Sequence, residues 1–109
     1  MAKVQSVEEK NQIMREKRDA KVREHLSQYA PVWMIKETML PGEDAILFEV
    51  LFTHPLYGWT NRRYRFDSFN SVLYHEGQHP VDETKAVEIM EKDPYINASS
   101  VNTVNSYGG

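Results

Sequence analysis

Two apolar segments separated by a four-residue turn constrain the fold of this chain more than any other feature. Residues 32–40 have the sequence VWMIKETML and residues 45–54 have AILFEVLFTH, and both are rich in the β-branched and aromatic residues that strands favour. Residues 41–44, PGED, are of the types that form tight turns. The pattern predicts a β-hairpin. Its second strand is apolar at both alternating sets of positions, which is typical of a strand inside a sheet.

A helix is predicted before this hairpin. Ser6 and Glu9 have capping-box spacing, and Pro31 disfavours helical geometry at the residue before it, so the helix should run from residue 6 to about residue 29. Only residues 22–30 carry an apolar stripe at helical spacing. We therefore expect the last two turns to dock on the sheet and the earlier turns to project. Those earlier turns would form either a solvated helix or an arm that binds a partner.

A third strand is predicted at residues 61–66, because NRRYRF alternates between charged and aromatic side chains. Residues 67–77 fit either a helix or a hairpin that turns at 67–70 and returns through 71–75. The segment is rich in residues of low helix propensity, which favours the hairpin. Asp82 is then predicted to cap a short helix that ends near Lys92, before Pro94.

These elements predict one α+β domain with an antiparallel sheet of three or four strands. Residues 1–30 form its charged N-terminal helix, an arm of the same domain. Residues 31–94 form the compact α+β body, which includes the short C-terminal helix. Residues 95–109 are polar and low in charge, and we expect them to be a flexible tail.

Composition limits the location and the chemistry. The chain of 109 residues contains no Cys, which excludes disulfides and thiolate catalysis and leaves His, Asp and Glu as metal ligands. No apolar run approaches the roughly 20 residues that a membrane helix needs. The charged N-terminal segment lacks the apolar core of a signal peptide. We expect a cytoplasmic protein that does not contact a membrane.

Aromatic residues and arginines are concentrated after the hairpin. Arg, Trp and Tyr dominate the energetic centres of protein interfaces. We therefore hypothesise a small, non-enzymatic interaction, adaptor or regulatory module that binds another protein or a larger assembly. The candidate partner-binding residues are Tyr57, Trp59, Arg62, Arg63 and Tyr64. The competing interpretation is structural: the aromatic residues would cap the core, and the arginines would pair with acids such as Glu49 or Asp67.

Residues 75–79, HEGQH, match the H-E-x-x-H pattern of zinc peptidases. In such a site His75 and His79 would hold zinc and Glu76 would act as the base, which gives the alternative hypothesis of a minimal zinc-dependent hydrolase. The pattern requires a helix through both histidines, and Gly77 and Pro80 disfavour one. We therefore favour a protein without catalytic residues or a cofactor. Metal binding without catalysis is a weaker alternative.

A further alternative is binding of single-stranded nucleic acid through Arg62, Arg63 and Arg65 and their aromatic neighbours. The charge distribution argues against it. The net charge is −3 overall, with +2 on residues 1–25 and −5 on the remainder. An acidic body repels a polyanion, so we favour a protein partner.

Overall fold

The computed structural model describes residues 6–97. Six regular elements follow one another in this part of the chain: α1 (Val7–Leu26), β1 (Trp33–Leu40), β2 (Ala45–His54), β3 (Gly58–Asp67), β4 (Val72–Pro80) and α2 (Glu83–Ile89). The strands form one antiparallel sheet in the order β1-β2-β3-β4. The predicted α+β architecture is confirmed, and so is the hairpin over residues 67–77. Most of the predicted tail lies outside the described residues.

The helix ends follow the capping signals in the sequence. At the start of α1 the Ser6 hydroxyl accepts from the Glu9 amide at 3.1 Å, and the Glu9 carboxylate accepts from the Ser6 amide at 3.2 Å. At the start of α2 the Asp82 carboxylate accepts from the Lys85 amide at 2.8 Å. Helix α1 ends at Leu26 and continues as a short 3₁₀ turn, Ser27–Tyr29.

Helix α1 docks on the sheet over most of its length. Met14, Arg18, Val22 and Leu26 recur every four residues, and each is at most 3% exposed. The expectation that the turns before Val22 project from the body is therefore wrong. The docking stripe was hidden in the sequence because Arg18, a charged residue, occupies one of its positions.

An ionic cluster accommodates Arg18 between the helix and the sheet. Its Nε donates to Asp19 at 2.8 Å and its Nη2 lies 2.7 Å from Glu37 of β1. The guanidinium also lies 5.0 Å from the centre of the Phe48 ring, and the Tyr95 hydroxyl donates to Asp19. Burial alone would lower the pKa of the Arg18 guanidinium. Tyr95 and the carboxylates of Glu37 and Asp19 have the larger effect, so the pKa is raised.

The sheet has two differently covered faces. The first face lies under α1, and its core includes Phe48, Phe52 and Phe66. The second face carries Leu51, which packs against Ala86 and Ile89 at one end of the sheet. Because α2 has only seven residues, it covers that end alone. No element within residues 6–97 covers the other end of the second face.

The described part of the predicted tail begins with packed residues. Ile96 is 4% exposed and forms an isolated antiparallel bridge with Val32, with hydrogen bonds of 3.0 Å in both directions. Tyr95 packs against the same core as Ile96. These contacts close the end of the domain where α1 and β1 meet.

Candidate functional site

The five residues predicted to bind a partner lie in three different places. Successive side chains of a strand point to opposite faces of a sheet. In β3 this places Trp59 and Arg63 on the second face and Arg62 and Tyr64 on the first face. Tyr57 precedes β3, in the loop that follows β2.

Trp59 and Tyr57 differ in exposure. Trp59 is half-buried beside α2, where its ring meets the Trp33 ring edge-on at a centroid distance of 6.5 Å. Tyr57 is 65% exposed and stacks on the His54 ring at 4.5 Å. Trp59 therefore belongs to the packing at the covered end of the second face, whereas Tyr57 is an exposed loop aromatic.

Arg62 is held among aromatic rings on the first face. Its guanidinium lies 4.8 Å from the ring centre of Phe52 and 5.7 Å from that of Tyr29. Its Nε donates to Gln78 at 2.8 Å, and its Nη1 donates to the Tyr64 hydroxyl at 3.1 Å. Both acceptors are neutral. Within residues 6–97, Arg62 has no carboxylate partner.

A cleft opens above Arg62, between the end of α1 and strands β3 and β4, and we call it the Arg62 cleft. Its lining contains no Asp or Glu, and the lining residues are His25, Gln28, Tyr29, Arg62, Tyr64, Leu73 and His75. Burial raises the pKa of the Tyr64 phenol, and the hydrogen bond from Arg62 opposes this only in part. The Tyr64 hydroxyl therefore keeps its proton at neutral pH.

The uncovered end of the second face forms a shallow depression that we call the open face. Residues from all four strands line it, among them Lys36, Thr38, Leu47, Glu49, Arg63 and Glu76. Tyr74 lies beside this depression on the same face, opposite Arg65, and we include it in the open face. Leu47 is 37% exposed and Tyr74 is 47% exposed. The open face thus combines two large apolar side chains with charges of both signs.

Arg63 has a fixed position on the open face. Its Nη1 lies 3.0 Å from the His79 Nδ1, and it passes directly over Gly77. A Cβ at position 77 would lie 2.5 Å from Arg63 Nη2, so any other residue would displace the guanidinium from this position. Gly77 also has a φ of +131°, which side chains rarely tolerate. Among the described side chains no carboxylate lies within 4.0 Å of the Arg63 guanidinium.

The HEGQH segment lies in edge strand β4 and does not form the helix that zinc peptidases require. The His75 ring meets the Tyr64 ring on the first face at 5.9 Å, whereas His79 contacts Arg63 on the second face. The two histidines therefore point away from each other. Within residues 6–97 there is no group of three or more His, Cys, Asp or Glu side chains that could hold a metal ion.

The three arginines of β3 do not form one basic strip. Arg62 lies on the first face, while Arg63 and Arg65 lie on the second. Arg65 pairs with Glu43 at 3.2 Å, which offsets its charge. Arg65 therefore pairs with an acid, as the structural interpretation expected, but the acid is Glu43 in the turn between β1 and β2 and not Glu49 or Asp67.

Leu47 and Tyr74 were not predicted to be surface residues. Leu47 belongs to an apolar strand, and its exposure depends on how far α2 extends over the sheet. Tyr74 could have been found, because pairing β4 with β3 places it opposite Arg65 on the second face. That pairing depends on the register of β4, however, and predicting the register would also have required predicting the β-bulge at the level of Arg63 and Tyr64.

Comparison of this chain with protein-family models, curated proteins and solved structures gives no match. In the part of the chain that the structure describes, neither helix is long and apolar enough to cross a membrane.

Proposed function

We propose that this protein is a small, non-enzymatic interaction module that binds a partner protein through the open face. The observation that supports this is the incomplete cover of the second face: α2 packs on one end, and Leu47 and Tyr74 remain exposed at the other. Leu47 and Tyr74 lie on either side of Arg65 on this face, so apolar contact area stands next to a charged side chain, as in many interaction surfaces.

The chemistry of the open face indicates the kind of partner. Leu47 and Tyr74 offer apolar contact area, and Arg63 offers a guanidinium without a carboxylate partner among the described residues. Tyr and Arg are enriched among the residues that contribute most to binding. The partner would present an apolar patch next to an Asp or Glu that pairs with Arg63.

The position of Arg63 supports binding because the side chain is ordered before a partner arrives. The contact with His79 Nδ1 positions the guanidinium above Gly77, which has no side chain to obstruct it. A side chain that is already ordered loses less conformational entropy when it binds. Of the residues hypothesised from sequence, Arg63 belongs to this surface and Trp59 supports the same face from its covered end.

Affinity capture with matched surface variants tests this proposal. The test variants are Leu47→Asp, Tyr74→Ser and Arg63→Gln. The control is Val87→Asp, which places a charge on the exposed surface of α2, where Val87 is 51% exposed. We expect a partner that wild type and the control retain and that each open-face variant loses, while circular dichroism shows that all four variants are folded.

Two results would contradict the proposal. One is capture of the same partners by all variants. The other is self-association in analytical ultracentrifugation that Leu47→Asp abolishes, since the open face would then bind a second copy of this chain instead of another protein.

A further inference from the structure

The Arg62 cleft has hydrogen-bond donors that no described residue uses. Arg62 donates from Nε and Nη1, and no described residue accepts from its Nη2. The Tyr64 hydroxyl accepts from Arg62, which leaves its own hydrogen free to donate. The hydroxyl of Tyr29 also has no hydrogen-bond partner in residues 6–97, although its ring stacks on the His54 ring and packs at a tilt against the Phe52 ring.

The electrostatics of the cleft favour an anion. Arg62 supplies a permanent positive charge, and none of the lining residues is acidic. His25 and His75 are part of the lining, and their rings can offer N–H donors to an anion. An unpaired, half-buried guanidinium is unusual, because buried charges in proteins are normally paired.

The guanidinium is also preorganised. Rings of Phe52, Tyr29 and Tyr64 surround it at 4.8 to 6.0 Å, and Gln78 and Tyr64 fix its rotation through two hydrogen bonds. The side chain cannot turn away from the cleft without breaking these contacts. Its remaining donor, Nη2, is therefore held in place for a ligand.

We infer that the Arg62 cleft binds the phosphate group of a phosphate monoester or of free phosphate. Phosphate carries close to two negative charges and three acceptor oxygens, which matches one guanidinium donor, phenol donors and histidines at the same site. The Tyr29 ring and Leu73 provide an apolar wall next to the anion position, which suits an aromatic ester group. This site lies on the first face and is separate from the open face.

Titration of the purified full chain by ¹H–¹⁵N NMR tests this inference, with inorganic phosphate and phenyl phosphate as probes. Acetate at matched ionic strength serves as a control for non-specific charge effects. We expect saturable shifts of resonances from Arg62, Tyr64 and His75. Tighter binding of phenyl phosphate would assign the site to an aromatic phosphate monoester, and equal binding would assign it to free phosphate.

The neighbouring arginine provides a matched control for the site. Arg62→Met removes the charge but keeps an unbranched side chain among the rings, and Arg63→Met makes the same change on the opposite face of the same strand. We expect Arg62→Met to weaken phosphate binding at least about tenfold and Arg63→Met to leave it unchanged. Arg62→Lys checks folding, since it keeps the charge and should retain part of the binding.

The inference would be overturned by the absence of saturable shifts at millimolar phosphate. Equal weakening by Arg62→Met and Arg63→Met would also overturn it, because the effect would then reflect net charge. Loss of partner capture through the open face would not affect this result, since the two surfaces lie on opposite faces of the sheet.

Discussion

The Nη2 atom of Arg18 lies 2.7 Å from Oε2 of Glu37, and this pair joins α1 to edge strand β1. The Arg18 side chain is 3% exposed and that of Glu37 is 24% exposed. The other oxygen of Glu37 accepts from Arg15, with Nη2 at 3.0 Å. Removing one partner of a buried pair leaves an uncompensated charge, so the two residues depend on each other.

We expect Glu37→Gln to lower the free energy of unfolding by about 3 kcal/mol at pH 7, because Arg18 stays buried and loses one of its two carboxylate partners. Urea denaturation monitored by circular dichroism measures this loss. Glu43→Gln is the control, since Glu43 pairs with Arg65 at the surface and should contribute less than about 1 kcal/mol. Equal losses for the two variants would contradict this interpretation.

The stabilisation by Glu37 should depend on pH. Burial raises the pKa of this carboxyl, but the hydrogen bonds from Arg15 and Arg18 outweigh burial, and the folded-state pKa is lowered. Glu37 therefore contributes its full stabilisation above the unfolded-state pKa of about 4.3. This stabilisation is lost as the pH falls through the lower folded-state pKa. The difference in unfolding free energy between wild type and Glu37→Gln should shrink below about pH 4. A constant difference down to pH 2 would contradict this.

The overall fold follows from signals that are local in the sequence. Alternating apolar residues, the turn at 41–44 and the caps at Ser6 and Asp82 predict the elements and their order. The extent of α1 docking could not be predicted in the same way. Arg18 is buried at that interface because it pairs with Glu37 of β1, and this contact depends on tertiary structure.

The candidate surfaces were less predictable than the fold. Residues 57–64 look like one cluster in sequence, but strand alternation places Arg62 and Arg63 on opposite faces of the sheet. Whether a face is open depends on α2, whose seven residues cover only one end of the sheet. Exposure of Leu47 therefore depends on the length of an element more than thirty residues later in the chain.

Met14→Ala tests the docking of the first half of α1. Met14 is 2% exposed and belongs to the main core, so we expect its truncation to cost about 2 to 4 kcal/mol of unfolding free energy. Ile13→Ala is the matched control one position earlier, where the side chain is 39% exposed and the cost should be below about 1 kcal/mol. Similar small costs for both variants would show that this part of the helix does not pack on the sheet.

Trp59→Ala should act on stability, because Trp59 packs against Trp33 and the α2 cluster. We expect a loss of about 2 kcal/mol in the free energy of unfolding. Tyr57→Ala, in the adjacent loop, should change it by less than about 1 kcal/mol, since that side chain is mostly exposed. Thermal and urea unfolding of both variants would distinguish a packed residue from an exposed one. A Trp59→Ala protein as stable as wild type would show that Trp59 does not contribute to the packing.

Gly77→Ala should destabilise the protein through two effects. Matched substitutions at two other glycines allow these effects to be measured separately. Its φ of +131° strains any side chain, and the new Cβ would lie 2.5 Å from Arg63 Nη2. Gly58 has a positive φ without a close neighbour, and Gly42 has neither feature. We expect the cost to rise from near zero for Gly42→Ala, through about 1 kcal/mol for Gly58→Ala, to about 2 or 3 kcal/mol for Gly77→Ala. Adding Arg63→Ala to Gly77→Ala should restore the part of the unfolding free energy that the clash removes. If the double variant is no more stable than Gly77→Ala, backbone strain alone requires glycine at this position.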